Sequence, residues 1–252
     1  MKLLTAMPLI VAGLVLSSTA SAAIINYNIV DDFVAGPSPQ LATNSWQYFE
    51  LNDSRTTATL LSDWDTDGNE IMSGSPQWDN NRVNDNYPFV QLIGAGGDNG
   101  NSGSGFFDVN TLWLHAGNNV NELVGVGWFN NTGLFATVNY VGALTSHDKS
   151  SVDGVDYFVM HGLGTALLES GTLADPSGGG ETVALTGNNI LMAPGEYLYF
   201  GLESGANKYA SDHTQLTLAL TADTIAVPEP SILSIFALGL MGLASRRFKK
   251  QA

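Results

Sequence analysis

Acidic side chains occupy alternate positions in one short stretch of the chain, Asp63-Trp64-Asp65-Thr66-Asp67-Gly68-Asn69-Glu70. Carboxylates at positions 1, 3 and 5 with a glycine at position 6 match the start of a calcium-binding loop. The glycine permits the tight turn that aims the position-7 carbonyl at the ion. We therefore predict one calcium ion, held by Asp63, Asp65, Asp67 and the carbonyl of Asn69.

The same stretch departs from the calcium loop at position 12, which is Gly74. A bidentate glutamate normally stands there, so Glu70, Asp79 or water would have to complete the coordination. The alternative is an acidic, solvated loop between two strands. The sequence leaves both interpretations open.

Two tryptophans, Trp64 and Trp78, lie among polar residues. They are the better candidates for exposure among the five tryptophans, and an exposed ring could stack on the rings of a carbohydrate ligand. Burial in the core, the commoner fate of tryptophan, is the alternative. Trp113 and Trp128 lie among apolar residues and are predicted to belong to the core.

Motifs for nucleophilic or metal-dependent catalysis are missing from the sequence. It contains no G-x-S-x-G elbow, and its histidines do not stand at zinc-ligand spacings. Paired carboxylates for glycoside hydrolysis stay open, because the chain contains many acids. We predict that the protein is not an enzyme, with a glycan-active enzyme on the same fold as the alternative.

The elements that position these residues are predicted to be strands. Trp46–Leu51 and Thr56–Leu61 predict a hairpin. Thr214–Thr221 alternates most clearly. Its apolar face carries Leu216, Leu218 and Leu220. Ten or more short segments of this kind, separated by Gly, Asn, Asp and Pro, predict an all-β fold, an antiparallel β-sandwich.

Two turns near the end of the predicted sandwich carry a resemblance. Ala193-Pro194-Gly195-Glu196 precedes one strand, and Asp212-His213-Thr214 leads into the last one. They resemble the closing strands of jelly-roll, carbohydrate-binding-type modules. The resemblance implies a jelly-roll-like sandwich and the binding of a sugar.

The body of the chain, residues 23–226, is predicted to be one strongly acidic domain. It contains four of the nine lysines and arginines and 23 of the 24 aspartates and glutamates, a formal charge of −19. Nucleic acid and anionic membranes are poor partners for such a surface, whereas divalent cations and neutral polymers suit it. Solubility alone is the alternative reason for the charge. The chain contains no cysteine, so disulfides do not stabilise it.

Residues 1–22 predict a secretory signal peptide. Lys2 supplies the positive charge, residues 9–16 are apolar, and Ala20-Ser21-Ala22 places small residues at the −3 and −1 positions. We therefore predict cleavage by signal peptidase between Ala22 and Ala23.

Residues 227–252 combine a helix breaker, a short apolar run and a basic end. Pro228-Glu229-Pro230 cannot continue a helix. Residues 232–244 predict an uncharged hydrophobic helix of 13 residues, shorter than the ~20 that span a bilayer comfortably. The cations within 246–250 favour the cytoplasmic side. This order predicts a transient membrane contact, with an ordinary single-pass anchor as the alternative.

The tail resembles the PEP-CTERM protein-sorting signal of Gram-negative bacteria, with the signature tripeptide at Pro228, Glu229 and Pro230. The same tail is also labelled as the C-terminal domain of ice-binding proteins. The resemblance implies recognition by an exosortase, a membrane-embedded cysteine protease or transpeptidase. It also implies export through the inner membrane to the cell surface or an extracellular matrix.

Together these features predict an exported, non-catalytic β-sandwich that binds extracellular polysaccharide or serves as a structural component of a matrix or biofilm. An ice- or surface-binding adhesin is a further alternative. It would need a flat array of Thr or Ala, and the sequence indicates one only at Thr217, Ala219 and Thr221 of a single strand.

Overall fold

A computed structural model of the protein describes residues 22–33, 40–41, 43–65, 76–80, 88–93, 111–117, 122–147, 154–174, 181–204 and 213–225. Every regular element in these residues is a β-strand, and they contain no helix that could cross a membrane. One compact unit runs from Ala23 to Ile225. The signal peptide, the tail with its predicted helix, the side chain of Asp65, and Asp67 and Asn69 lie outside the described residues.

The strands of the described residues form two antiparallel sheets. Sheet A contains β1 (Ile24–Asn28), β4 (Asp63–Asp65), β5 (Gln77–Asp79), β6 (Phe89–Ile93), β7 (Thr111–His115), β9 (Phe135–Ser146), β12 (Thr182–Met192) and β14 (Thr214–Ile225). Sheet B contains β2 (Trp46–Leu51), β3 (Ala58–Leu60), β8 (Leu123–Phe129), β10 (Val155–His161), β11 (Leu167–Leu173) and β13 (Tyr197–Ser204).

The last strand, β14, organises sheet A. The strand order is β12-β9-β14-β7-β6-β5-β4, and β1 also pairs with β14. β9 runs along the whole of one edge of β14. On the other edge β7 pairs with residues 214–216 and β1 with residues 219–223. The first strand of the body is therefore held by the last.

The core lies between the two sheets. β14 contributes Leu216, Leu218 and Leu220, each at most 4% exposed, as the alternation predicted. Trp128 from sheet B belongs to the same cluster. Side chains from both sheets share one buried cluster, which is the arrangement of a β-sandwich, and the prediction of the fold class is confirmed. The finer jelly-roll resemblance stays a prediction.

The outward side of sheet B is closed by a second apolar cluster. Its members are Phe49, Leu51, Leu123, Phe158, Met160 and Tyr199, each at most 5% exposed. The Phe158 ring lies against the glycine of the neighbouring strand, where a Cβ on Gly201 would stand 2.2 Å from the ring. This side of sheet B therefore offers no open face at these residues.

Candidate functional site

The predicted calcium stretch begins in a strand. Asp63–Asp65 is β4, which pairs with Gln77–Asp79 of β5. The expectation that a loop starts at Asp63 is therefore wrong, because pairing extends the backbone and sets alternate Cα atoms about 6–7 Å apart. Within the described residues there is no group of three or more His, Asp or Glu side chains that could hold a metal ion.

Asp63 nevertheless stands directly opposite Asp79 in the register of β4 and β5. Asp79 is 3% exposed, and its Oδ2 accepts a hydrogen bond from Gln77 Nε2 at 2.8 Å. Like charges directly opposite each other destabilise a strand pair, so a cation beside them would stabilise this part of sheet A. The calcium ion stays a prediction, and so does the part of Asp79 in completing its coordination.

We expect millimolar calcium to raise the melting temperature of the exported protein and Asp65→Ala to remove most of the gain. Extracellular calcium modules bind with dissociation constants on the order of 0.1–1 mM, so calcium at about 10 mM, roughly 10 to 100 times that value, stabilises the folded state by about 1.4–2.7 kcal/mol. Thermal melts in EDTA and in calcium measure the effect, with magnesium as the control ion. Identical melting of the wild type in both solutions would contradict the prediction.

The two tryptophans predicted to stack on a ligand belong to the interior. Trp78 is fully buried, so the expectation that it is exposed is wrong. Trp64 is partly buried and packs on Trp78 with ring centroids 5.1 Å apart. β5 directs Trp78 between the sheets although its sequence neighbours are polar, because those neighbours point to the opposite side of the strand.

The outward surface of β12, β9, β14 and β1 is an open sheet face. In β14 the outward positions alternate with the buried leucines. We call this surface the threonine–alanine face. Its members are Thr182, Ala184, Thr186, Thr137, Asn139, Val141, Ala143, Thr145, Gln215, Thr217, Ala219, Thr221, Asp223, Asn26 and Asn28, with Phe135, Leu191, Ile225 and Ile24 at one end.

Cross-strand register arranges these side chains in rows. The first row is Thr182, Thr145 and Gln215, the second is Ala184, Ala143 and Thr217, and the third is Thr186, Val141, Ala219 and Asn28. Strands in such sheets lie about 4.8 Å apart, and successive rows about 6.7 Å apart. The face is therefore a two-dimensional array of methyl and hydroxyl groups. Thr145 Oγ1 and Thr182 Oγ1 hydrogen-bond within it at 3.0 Å.

The threonine–alanine face is almost uncharged. Asp223 is the single residue of Asp, Glu, Lys or Arg type in β1, β9, β12 and β14, whereas the body as a whole has a formal charge of −19. Large apolar side chains are also exposed on it, among them Ile24 at 69% and Val141 at 60%. Exposed apolar groups gathered on one surface mark a site of interaction.

The other half of sheet A differs, because the outward residues of β5, β6 and β7 are buried. They are Gln77, Asp79, Phe89, Gln91, Ile93, Thr111, Trp113 and His115, each at most 8% exposed, and five of the eight are polar. Trp113 Nε1 donates to Thr111 Oγ1 at 2.8 Å. The open face therefore ends where β14 pairs with β7. Strand alternation in the sequence does not predict this border.

Three of the four histidines stand side by side where these two halves meet. Thr214 pairs with Leu114 on one side and Ser146 on the other, so the next residues, His115, His213 and His147, are neighbours. The His115 and His213 rings lie 4.8 Å apart, and His147 Nε2 lies 3.0 Å from Gln215 Oε1. Burial, reinforced by His147, lowers the pKa of His213 to about 4.

One pair of carboxylates is brought together on sheet B. Asp156 of β10 stands directly opposite Glu203 of β13. Arg55 Nη2 bonds to Glu203 Oε2 at 2.5 Å, and Thr172 Oγ1 donates to Asp156 Oδ1 at 2.5 Å. Burial raises the pKa of the Glu203 carboxyl, and Arg55 opposes that rise. Both carboxylates are thus held by protein donors, and we assign them no catalytic role.

Comparison with known proteins gives one match along the sequence. Residues 226–250 match the PEP-CTERM protein-sorting motif. No match was found among curated proteins. The fold defines an all-β sandwich, and the motif adds that the chain is an exported protein sorted by an exosortase to the cell surface or extracellular space of a Gram-negative bacterium.

Solved structures resemble the body only distantly. A Stig cyclase from Fischerella sp. TAU, bound to an indole compound, is 12% identical, with 80% of this chain and 99% of that chain covered and a TM-score of 0.39. An arabinose-bound GH51 α-L-arabinofuranosidase is 14% identical, with 70% and 27% covered and a TM-score of 0.30. Likenesses at these scores carry no argument about activity.

Proposed function

We propose that the exported protein binds a neutral extracellular polysaccharide through the threonine–alanine face and catalyses no reaction on it. The observation that carries this proposal is an open, nearly uncharged face on a body with a formal charge of −19. A neutral polymer can lie on such a face without removing water from charged side chains, which would cost free energy. Bound in this way, the protein also serves as a structural component of the matrix.

Apolar contact and short hydrogen bonds supply the binding energy in this proposal. Methyl groups of Ala184, Val141 and Ala219 cover the apolar C–H surfaces of the sugar rings, and each square ångström so buried contributes about 25 cal/mol. Threonine hydroxyls act as both donors and acceptors toward sugar hydroxyls. A flat face makes many weak contacts, so extended chains bind better than single sugars.

In this proposal, removal of the signal peptide leaves Ala23 as the first residue of the mature protein, beside the last strand, β14. The backbone nitrogen of Ala23 donates to Thr224 Oγ1 at 2.8 Å, and the Ala23 carbonyl accepts from the Thr224 nitrogen at 2.9 Å. Cleavage by signal peptidase after Ala22 would leave Ala23 in this position. The first residue of the mature chain would then be tied to sheet A.

The exported protein should sediment with at least one insoluble neutral polymer, and we name cellulose, β-1,3-glucan and starch granules as probes. It should stay in solution with pectate and alginate gels, because anionic polymers are repelled by the acidic body. Salt on the order of 0.5 M should not weaken the neutral binding, since no charge pair mediates it. The proposal would be contradicted if the protein sedimented only with the anionic gels, or if it sedimented with none of the polymers tested.

The array also favours a second candidate, an adhesin for an ordered surface such as ice. The threonines and alanines of β14 are joined by those of β9 and β12 in register, which extends the array that this alternative requires over three strands. Enrichment of the protein in slowly grown ice, without sedimentation by any polymer, would favour this candidate over the first.

A further inference from the structure

The two partners that share one edge of β14 leave a gap between them. β7 pairs with residues 214–216, and β1 pairs with residues 219–223. Thr217 therefore lies between the ends of two strands. At this point the threonine–alanine face sinks into a depression of about 440 Å³, a volume within the ~300–1,000 Å³ that is usual for ligand pockets.

Polar and apolar groups meet in this depression. Its polar lining includes Asp31, Asn28 and Thr217, and its apolar lining includes Val141 and Ala219. A carboxylate, a hydroxyl and two methyl-bearing side chains on one concave surface are complementary to a sugar ring, which has hydroxyl groups at its rim and C–H groups on its faces.

A turn after β1 presents the Asp31 carboxylate to the depression. Asn28 Oδ1 accepts hydrogen bonds from the backbone nitrogens of Val30 at 2.9 Å and Asp31 at 3.3 Å. Asp32 is used inside the turn, where its Oδ2 accepts from the Asn28 nitrogen at 2.8 Å. Asp31 is exposed, and no donor among the described residues is bonded to its carboxylate.

We infer that this depression is a subsite for one residue of a neutral polysaccharide, an inference that rests on the proposed function. The Asp31 carboxylate accepts hydrogen bonds from sugar hydroxyls, and such charge-assisted bonds are the stronger kind. Thr217 hydrogen-bonds a further hydroxyl, while Val141 and Ala219 contact the face of the ring. A uronic acid is excluded, because its carboxylate would meet that of Asp31.

Titration calorimetry with cellohexaose, laminarihexaose and maltohexaose, the short forms of the three polymers named above, tests the subsite. For the hexasaccharide that binds the wild type, Asp31→Ala should weaken binding about tenfold or more, since a hydrogen bond to a charged group contributes about 1.5–3 kcal/mol. Thr217→Val should weaken it by a smaller factor. Asp53→Ala is the matched control, because Asp53 is an exposed aspartate in the turn between β2 and β3 of sheet B, outside both the threonine–alanine face and the depression.

The outcomes separate the subsite from the face that contains it. Equal binding by Asp31→Ala, Asp53→Ala and the wild type would overturn the subsite and leave the proposed function standing. A wild type that sediments with an insoluble polymer but binds no hexasaccharide would also overturn the subsite. A wild type that binds no neutral polysaccharide in any form would overturn the proposed function itself.

Discussion

Leu218→Ala is expected to lower the free energy of unfolding by about 2–5 kcal/mol, the range for truncating a buried leucine. Leu218 is 4% exposed and lies at the centre of β14, where β9 pairs with it on one edge. It packs in the cluster shared by both sheets. Truncation leaves a cavity that the paired backbones cannot close. The variant therefore loses the transfer free energy of the removed atoms and also bears the cost of the cavity.

Thr217→Ala is the matched control for this prediction. Thr217 is the preceding residue of the same strand, but its side chain is exposed on the threonine–alanine face. Urea denaturation of the two variants should show a loss under about 0.5 kcal/mol for Thr217→Ala, as is usual for surface positions. Equal losses in the two variants would contradict the assignment of the buried face of β14.

Acidification from pH 6.5 to pH 4 is expected to destabilise the protein by up to about 3 kcal/mol through His213 alone. Burial lowers the pKa of His213 from 6.5 to about 4 in the folded state. Above pH 6.5 the histidine is neutral in both states, and its contribution does not change. Between pH 6.5 and 4 only the unfolded chain takes up the proton, so stability falls as the pH falls.

The difference between the wild type and His213→Gln isolates this contribution, because the carboxylates titrate alike in both proteins. The fall in unfolding free energy between pH 6.5 and 4 should be smaller in His213→Gln. His161→Gln is the control, since His161 is partly exposed and bonds to Glu196 at 2.8 Å. A wild type and a His213→Gln variant with parallel pH profiles would contradict the buried, neutral state of His213.

The strands that alternate strongly could be predicted from the sequence. The prediction for Trp46–Leu51 has the bounds of β2, and Thr214–Thr221 extends four residues further in β14. The hairpin of β2 and β3 also matches its turn signal. In β14 one face is buried and the other is not, so the hydrophobic period reports the structure directly. β2 is buried on both faces, and its apolar and aromatic side chains with the following turn residues are the signal there.

The short strands of sheet A were not predicted. β4, β5 and β6 contain three to five residues, and their polar side chains Asp79, Gln77 and Gln91 are buried. A buried polar residue gives no alternation signal, although each of these strands pairs with the next one along the chain. For the same reason Trp78 was predicted to be exposed and is instead in the core.

The threonine–alanine face was only partly visible in the sequence. Thr217, Ala219 and Thr221 showed one strand of it, and the alternating small residues of β9 and β12 were a signal that could have shown more. The sequence does not predict the register in which these strands pair. Ala184, Ala143 and Thr217 are neighbours because of antiparallel pairing across three strands that lie far apart in the chain.

Sedimentation of Ala184→Lys with the neutral polymer that binds the wild type tests the central claim most directly. Ala184 is exposed on the threonine–alanine face, and a lysine there would hold a flat ligand away from it. Leu168→Lys is the matched control, since Leu168 is 48% exposed on β11 of sheet B. We expect Ala184→Lys to weaken binding about tenfold or more, a loss of about 1.4 kcal/mol, and Leu168→Lys to bind like the wild type. Unchanged binding by Ala184→Lys would contradict the claim that this face is the binding surface.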